Sequence, residues 1–214
     1  LMTHVGPDAD GLGSQLAFCK AAAAAGKEAF VVNNDPLPGR YKWLDPDGET
    51  GWHDRDSAKL DGADLGLVFD THEGHRAGRP FEALVARGVD VLVFDHHKVS
   101  DDAQVMGVVA TEFSSTGELC YRLIEALGWP IDRHVAHGIY SAISFDTGSF
   151  RYLRNQSSTM RVAAELLDTG LDTNPIQEAL FASRPADETR LLGRILDQIT
   201  FAADGRVATV IARP

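Results

Sequence analysis

The sequence predicts an α/β fold, doubly wound around a mainly parallel sheet, followed by a linker helix and the first hairpin of a second domain. Three observations predict it. Apolar runs ending in acidic or polar residues alternate with helix-period patterns, as in βαβ construction. Leu65–Phe69 and Val89–Phe94 are nearly continuous apolar runs, as expected of strands buried on both faces of a parallel sheet. Near the end, two short apolar runs flank Asp204-Gly205, a hairpin signal with a type I′ turn that is foreign to the preceding pattern.

Each element has its own signal. Leu1–Thr3 reads as the tail of a strand, and a chain opening in mid-pattern predicts residues before Leu1. Gly13 to about Ala25 reads as an Ala-rich helix, with Gly26 just past its end. Ala29–Asn33 reads as a strand. Residues 34–61 are rich in Pro, Gly and Asp and predict a long connection with little regular structure. A helix at about 79–87 links the two apolar strands into a βαβ unit. Gly107–Ala110 suits a short strand. Leu119, Leu123 and Leu127 recur every four residues in a helix over Thr116–Leu127. Ile131, Val135, Ile139 and Ile143 do the same in a helix running toward Asp146. Ser157 or Ser158 suits the N-cap of a helix to Asp168, closed by Gly170. Thr173-Asn174-Pro175 starts a short helix and Ala186–Gln198 forms another. Ile199–Ala202 and Arg206–Ala212 are the arms of the hairpin. The domains expected are 1–180, a linker helix at 181–198, and the start of a second domain at 199–214.

Composition narrows the function classes. Apolar residues make up 44% and charged residues 24%, which excludes disordered and collagen-like chains. No window approaches the roughly 18 unbroken apolar residues of a membrane span. The 20 Lys+Arg against 31 Asp+Glu leave a net charge of −11. That argues against a basic groove tracking a phosphate backbone and against an anionic membrane surface. Cys19 and Cys120 lie far apart with no CxxC spacing, and no signal peptide is visible, so a reducing, cytoplasmic setting is expected.

The acid has a pattern. Asp8 and Asp10, with His4, come after the first strand; Asp70 comes after Leu65–Phe69; Asp95-His96-His97 comes after Val89–Phe94; Asp146 lies in Ser144-Phe145-Asp146-Thr147-Gly148. In an open parallel sheet, ligands bind beyond the carboxyl ends of the strands, so these groups are expected to converge there. Carboxylates that close raise one another's pKa values unless cations compensate. Carboxylates with imidazoles and no cysteine suit a hard or borderline divalent ion, Mn²⁺ in preference to Mg²⁺. The donors are too many for one ion, and two ions can activate a water and clamp both oxygens of an in-line phosphoryl displacement.

These motifs, in this order, resemble the DHH phosphoesterase superfamily, in the branch of RecJ-type exonucleases and NrnA-type oligoribonucleases and phosphoadenosine-phosphate phosphatases. The matching segments are His4-x-x-Pro7-Asp8-x-Asp10-x-x-Gly13-Ser14, Val68-Phe69-Asp70-Thr71 with Arg76 soon after, Asp95-His96-His97, and Asp146-Thr147-Gly148-Ser149-Phe150-Arg151. Ser115-Thr116-Gly117-Glu118 matches a further family segment that opens a helix. The resemblance implies that His4, Asp8 and Asp70 hold one metal, and that Asp10, Asp70, His96 and Asp146 hold the other, with Asp70 bridging. His97 would face the substrate phosphate, as electrostatic stabiliser or as proton donor to the leaving oxygen, and Asp95 would fix an imidazole's orientation rather than bind metal. Gly11 stands where the family often has Ala, with no consequence expected for activity. The family's Gly-rich, His-containing C-terminal motif is not found here, and residues 199–214 resemble its opening hairpin only.

Other readings compete residue by residue. Gly11-x-Gly13-x-x-x-Ala17 could open a dinucleotide-binding loop, but Asp8 and Asp10 beside it would repel a pyrophosphate. A single strand-end Asp is usually a turn or cap residue, which is a poor account of the whole set. Arg76 and Arg151 flank the acidic centre and are candidate phosphate contacts, with ordinary surface ion pairs as the alternative; Lys98 stands similarly. His72 and His75 could line the site mouth. His53 has no motif support, and His134 and His137 are expected to face solvent. Cys19 reads as buried filler, and the scattered Trp43, Trp52 and Trp129 form no stacking platform. The expected activity is metal-dependent hydrolysis of short oligonucleotides or small nucleotides, by two-metal activation of water. The expected partner is a nucleotide or short oligonucleotide, with no membrane and with room for a homodimer. Cyclic dinucleotides or single-stranded DNA are the nearest alternative substrates, and a catalytically silent nucleotide-binding module is the alternative of another class.

Overall fold

The computed structural model describes residues 1–99, 106–154 and 156–211. The expected strand residue Ala212 lies outside them. The chain divides into two compact units, Leu1–Ile176 and Gln177–Pro214.

The first unit runs β1 (Met2–Thr3), α1 (Ala9–Ala24), β2 (Val31–Asn33), β3 (Thr50–Trp52), α2 (His53–Asp56), β4 (Leu65–Phe69), α3 (Arg79–Ala86), β5 (Asp90–Asp95) and β6 (Gly107–Val109). Helices α4 (Thr116–Ala126), α5 (Arg133–Asp146), α6 (Gln156–Asp168) and α7 (Asn174–Gln177) come next. The sheet order is β1-β4-β5-β6, all parallel, with Val68 opposite both Met2 and Val93. The parallel pair β2–β3 is tied to β1, where Val32 N–H donates to Leu1 O at 2.9 Å and Thr3 N–H donates to Asn33 Oδ1 at 3.0 Å. Among the described residues no helix is long and apolar enough to cross a membrane.

Strand alternation assigns the two faces of the sheet. Val68, Val91 and Val93 share a core with Met2, Val32, Leu60 and Leu84 of α3. Phe69 and Phe94 point the other way and stack at 5.7 Å between centroids, with Phe18 of α1 lying 5.8 Å from Phe69. Helices therefore cover both faces, as the nearly continuous apolar strands demanded.

Helix α1 begins four residues before the expected start at Gly13. The Asp8 side chain caps it, accepting from Asp10 N–H and Gly11 N–H, while Gly11 and Gly13 disguise the helical pattern. Those glycines mark close approaches. A Cβ on Gly13 would lie 2.4 Å from the Gly138 carbonyl, and one on Gly138 would lie 2.5 Å from the Gly13 carbonyl. The two helices thus cross backbone to backbone, antiparallel, which sets the start of α1 beside the end of α5. A Cβ on Gly11 would meet Thr3 Oγ1 at 2.2 Å, so Gly11 is not the free position the sequence suggests.

The segment 34–61 holds more structure than its composition predicts. Besides β3 and α2 it contains 3₁₀ turns at Gly39–Leu44 and Ser57–Gly62. The Asp45 carboxylate accepts from Glu49 N–H at 2.9 Å and Thr50 N–H at 2.8 Å, and so turns the chain into β3. A three-residue strand is too short to show periodicity. Helix α6 starts at Gln156, so Ser157 and Ser158 occupy its first turn rather than the cap. His137 is half-buried with its ring against Trp43 at 5.8 Å, which corrects the expectation that it faces solvent; His134 is exposed.

The second unit holds a π-turn at Glu178–Ala182, helix α8 (Ala186–Asp197), and strands β7 (Thr200–Ala202) and β8 (Val207–Thr209), paired antiparallel. Arg206 N–H closes the turn on Ala203 O at 3.1 Å, and Asp204 and Gly205 have φ of 56° and 81°. Positive φ at both central residues is what a type I′ turn requires.

Replacing Gly13 with Ala is expected to lower stability by about 1–3 kcal/mol, as for other overpacked contacts. Urea unfolding measures it. A change below about 0.5 kcal/mol, the range of ordinary surface substitutions, would show that the α1–α5 crossing is not tight.

Candidate metal centre

The fold gathers the strand-end acids at the carboxyl edge of the sheet. Three groups of side chains present ligand-type atoms within 4.8 Å of one another: His4, Asp8 and Asp70; Asp10, His96 and Asp146; and Asp70, His96 and His97.

Asp70 is the hinge of the arrangement. It ends β4 with φ at 68°, a left-handed backbone that Asp tolerates better than most residues, and its N–H is tied to Phe94 O at 2.9 Å. Its Oδ2 lies 3.5 Å from His4 Nε2, and its Oδ1 lies 3.8 Å from His96 Nε2. One carboxylate thus faces both histidines, one with each oxygen.

The two histidines are set alike. His4 Nδ1 lies 2.9 Å from Val5 O, and His96 Nδ1 lies 3.4 Å from Phe113 O. His96 Nδ1 lies 3.4 Å from Arg154 Nη1 as well; in both rings Nε2 is the nitrogen turned toward the acids. His96 Nε2 is buried and has no hydrogen-bond partner among the described residues. It faces Asp146 Oδ2 at 3.3 Å, Asp10 Oδ2 at 3.6 Å and Asp70 Oδ1 at 3.8 Å. Burial, then the neighbouring His97, lowers the His96 imidazole to about 4, so the ring is neutral at pH 7. A buried ring nitrogen without a hydrogen-bond partner, facing three carboxylate oxygens, is what a cation resolves, and the donor set of oxygens and imidazole nitrogens suits a divalent ion.

Backbone amides aim the remaining acids. Asp8 splits its labour: Oδ1 caps α1, and Oδ2 faces His4 Nε2 at 3.8 Å. The buried Asp10 accepts from Thr116 N–H and Gly117 N–H, both at 2.9 Å, at the N-terminus of α4. Thr116 Oγ1 also donates to Asp70 Oδ1 at 3.0 Å. Asp146 ends α5 and is succeeded by left-handed Gly148, Ser149 and Phe150, with φ of 57°, 61° and 63°. Among the described residues no Lys or Arg is in ion-pair contact with Asp8, Asp10, Asp70 or Asp146. Burial, then Asp70 and Asp146, pushes the Asp10 carboxyl well above the usual range. Burial, then Asp70, raises Asp8, and partial burial, then Asp70 and Asp8, raises Asp146 to about 6. His4 is raised by its contact with Asp70.

Asp95 differs from the rest. It is wholly buried and accepts at Oδ1 from His96 N–H, His97 N–H and His97 Nδ1, at 2.8, 3.1 and 2.8 Å. His72 Nδ1 lies 2.6 Å from its Oδ2. Burial works to raise this carboxyl, but the hydrogen bonds from His97 and His72 outweigh it and hold it well below the usual carboxylate range. The bond to Asp95 raises His97, whose ring is half exposed. Since His97 Nδ1 is committed to Asp95, the nitrogen left for solvent and substrate is Nε2.

Arg76 and Arg151 stand apart from these groups. Arg76 is exposed and lies 4.0 Å from Glu73, and Arg151 is exposed beyond the left-handed turn. Sequence reasoning missed three contributors. The amides of Thr116 and Gly117 could have been found from Ser115-x-x-Glu118, a capping signature that announces a helix start; Ser115 Oγ does accept from Glu118 N–H at 3.1 Å. His72 is weighed only as lining the mouth. Arg154, whose Nη1 donates to His96 O at 2.6 Å, gives no signal.

An α/β domain with this acid-and-imidazole edge has known counterparts. The family described as "DHH family, N-terminal domain" matches residues 1–143, and the chain belongs to the DHH family. Among individual relatives, it is 30% identical to the bifunctional oligoribonuclease and PAP phosphatase NrnA of Thermus thermophilus, over 98% of this chain and 61% of that protein. It is 25% identical to a protein of Streptococcus agalactiae named "Probable manganese-dependent inorganic pyrophosphatase", over 77% of this chain and 53% of that one. The crystal structure of an exopolyphosphatase-related protein from Bacteroides fragilis superposes with a TM-score of 0.88 at 26% identity, covering 97% of this chain and 63% of that one. The chain thus spans less than two thirds of these relatives.

A divalent ion entering here competes with protons for these raised carboxyls. With Asp146 raised to about 6, its carboxyl is mostly protonated at pH 5 and mostly free at pH 7.5. The rise in melting temperature that Mn²⁺ gives chelator-treated protein is therefore expected to be larger at pH 7.5 than at pH 5. Equal shifts at the two pH values would contradict the raised carboxyls.

Proposed function

We propose that this chain carries the metal-dependent catalytic domain of a phosphoesterase acting on short oligonucleotides or small nucleotides such as 3′-phosphoadenosine 5′-phosphate. The observation that carries the reading is Asp70 between two histidines, each turning Nε2 inward with Nδ1 on a backbone carbonyl. His4, Asp8 and Asp70 would hold one ion, and Asp10, Asp70, His96 and Asp146 the other. Two divalent ions held there, Mn²⁺ in preference to Mg²⁺, would supply an activated water and would offset charge on the phosphoryl oxygens.

The chain's own side chains do the rest. Asp95 holds Nδ1 of His97, which leaves Nε2 free to meet the substrate phosphate. The raised imidazole of His97 carries a proton toward the leaving oxygen. Arg76 and Arg151, exposed and apart from the acid cluster, are the candidates for phosphate contact outside it. Residues 1–180 form the catalytic domain, and 181–198 a linker to the start of a substrate-holding domain at 199–214. The choice of substrate rests on the oligoribonuclease and PAP phosphatase relative, and on a net charge of −11, which disfavours long tracking of DNA.

Replacing Asp70 or Asp146 with Ala is expected to cut Mn²⁺-dependent hydrolysis of a dinucleotide by about 10²–10³-fold or more, the scale of losing one transition-state contact. Circular dichroism checks that each variant is folded. Turnover equal to the parent chain in either folded variant would sink the mechanism.

A further inference from the structure

We propose that His72 is a positioning residue that clamps the far oxygen of Asp95, so that the near oxygen holds the His97 ring with Nε2 turned toward the substrate. The proposal rests on the phosphoesterase reading above and adds to it a residue outside the four motifs. It starts from how Asp95 is loaded. Its Oδ1 takes donors from His96 N–H, His97 N–H and His97 Nδ1. All three come from the two residues directly after Asp95, so they anchor one oxygen to one turn of chain. They leave the other oxygen without a donor from that turn, and the terminal torsion, which moves both oxygens together, is broad and soft in Asp. His72 Nδ1 supplies the missing restraint at 2.6 Å, from the loop just beyond β4.

The chemistry of the bond is set by the inventory of donors. With two amides already donating into it, Asp95 acts as an acceptor, so each ring nitrogen facing it carries the proton. His97 then keeps a hydrogen on Nδ1 in either charge state, and its outward nitrogen is Nε2. His72 is spent in the same way through its own Nδ1, so that nitrogen is not a metal ligand. The contact also joins two strand ends. His72 lies two residues beyond Asp70, and Asp95 immediately precedes His96, so the clamp sets the loop carrying the bridging acid against the loop carrying the buried imidazole. Its side chain is 15% exposed beside a carboxylate with no exposure, so little water competes for the bond.

The test uses the whole chain with Mn²⁺ and a dinucleotide, comparing the parent with His72→Ala and His72→Asn. Asn keeps a donor near the place of Nδ1. In His72→Ala, kcat is expected to fall about tenfold or more, the usual effect of removing such a supporting contact, while KM and the affinity for Mn²⁺ alone change by less than about twofold. His72→Asn is expected to recover most of the loss. The ring Nδ1–H resonance of His97, read by ¹⁵N NMR on metal-free protein, is expected to shift in His72→Ala and return in His72→Asn. An unmoved His97 resonance in His72→Ala overturns the clamp, as does an equal loss of kcat in both variants. Should His72→Ala fail to fold, His72→Gln, whose donor sits at a different reach, takes its place in the same comparison with His72→Asn. If the parent chain hydrolyses no phosphoester, the phosphoesterase reading fails, and the His97 resonance still decides the clamp.

Discussion

Carboxylates repel, and this domain is arranged around holding several of them together. Asp70 meets His4 with one oxygen and His96 with the other, while Asp8, Asp10 and Asp146 close in from two helices. The cost appears in the raised carboxyls of Asp8, Asp10 and Asp146. The fold meets part of it with backbone N–H groups. Asp8 is satisfied by the start of α1 and Asp10 by the start of α4, so two helix N-termini face the acids. What the amides leave over is an electrostatic demand that suits the edge to a divalent cation.

The helices reach that edge because two of them touch backbone to backbone. Gly13 and Gly138 let α1 and α5 approach until a single added methyl group would collide with a carbonyl. Gly117 continues the same seam, where a Cβ would lie 2.4 Å from that of Ala142 and α4 lies against α5. Small residues in a helix usually weaken it. Here they set the spacing that brings Asp10, Asp146 and the amides of Thr116 and Gly117 to one place, so packing and electrostatics share the same residues.

The histidines divide by what their Nδ1 touches. His4 and His96 rest Nδ1 on backbone carbonyls and send Nε2 into the acid cluster. His97 and His72 turn Nδ1 to Asp95. The adjacent rings of His96 and His97, 4.4 Å apart between centroids, are therefore held in different ways although they are neighbours in the chain. His96 is lowered by burial, and His97 is raised by its bond to a carboxylate. A difference that large between consecutive residues of one type comes from their surroundings alone.

Much of this was legible in the chain. The strands Leu65–Phe69 and Val89–Phe94, the helix toward Asp146, the turn at Asp204-Gly205 and the acids at the strand ends are local patterns, and local patterns survive folding when burial agrees with them. The early start of α1 was hidden because its glycines answer to α5 and not to helical periodicity. The short strand β3 was hidden because three residues carry no period. The contacts of Asp10 with Thr116 and Gly117 join residues more than a hundred positions apart, and the bond from His72 to Asp95 joins two different loops. Adjacency in the chain puts His4, Asp70, His96 and His97 just beyond strand ends, while Asp146 reaches the same edge at the end of α5. Which oxygen meets which nitrogen depends on the spacing between packed elements, and no local pattern encodes that spacing.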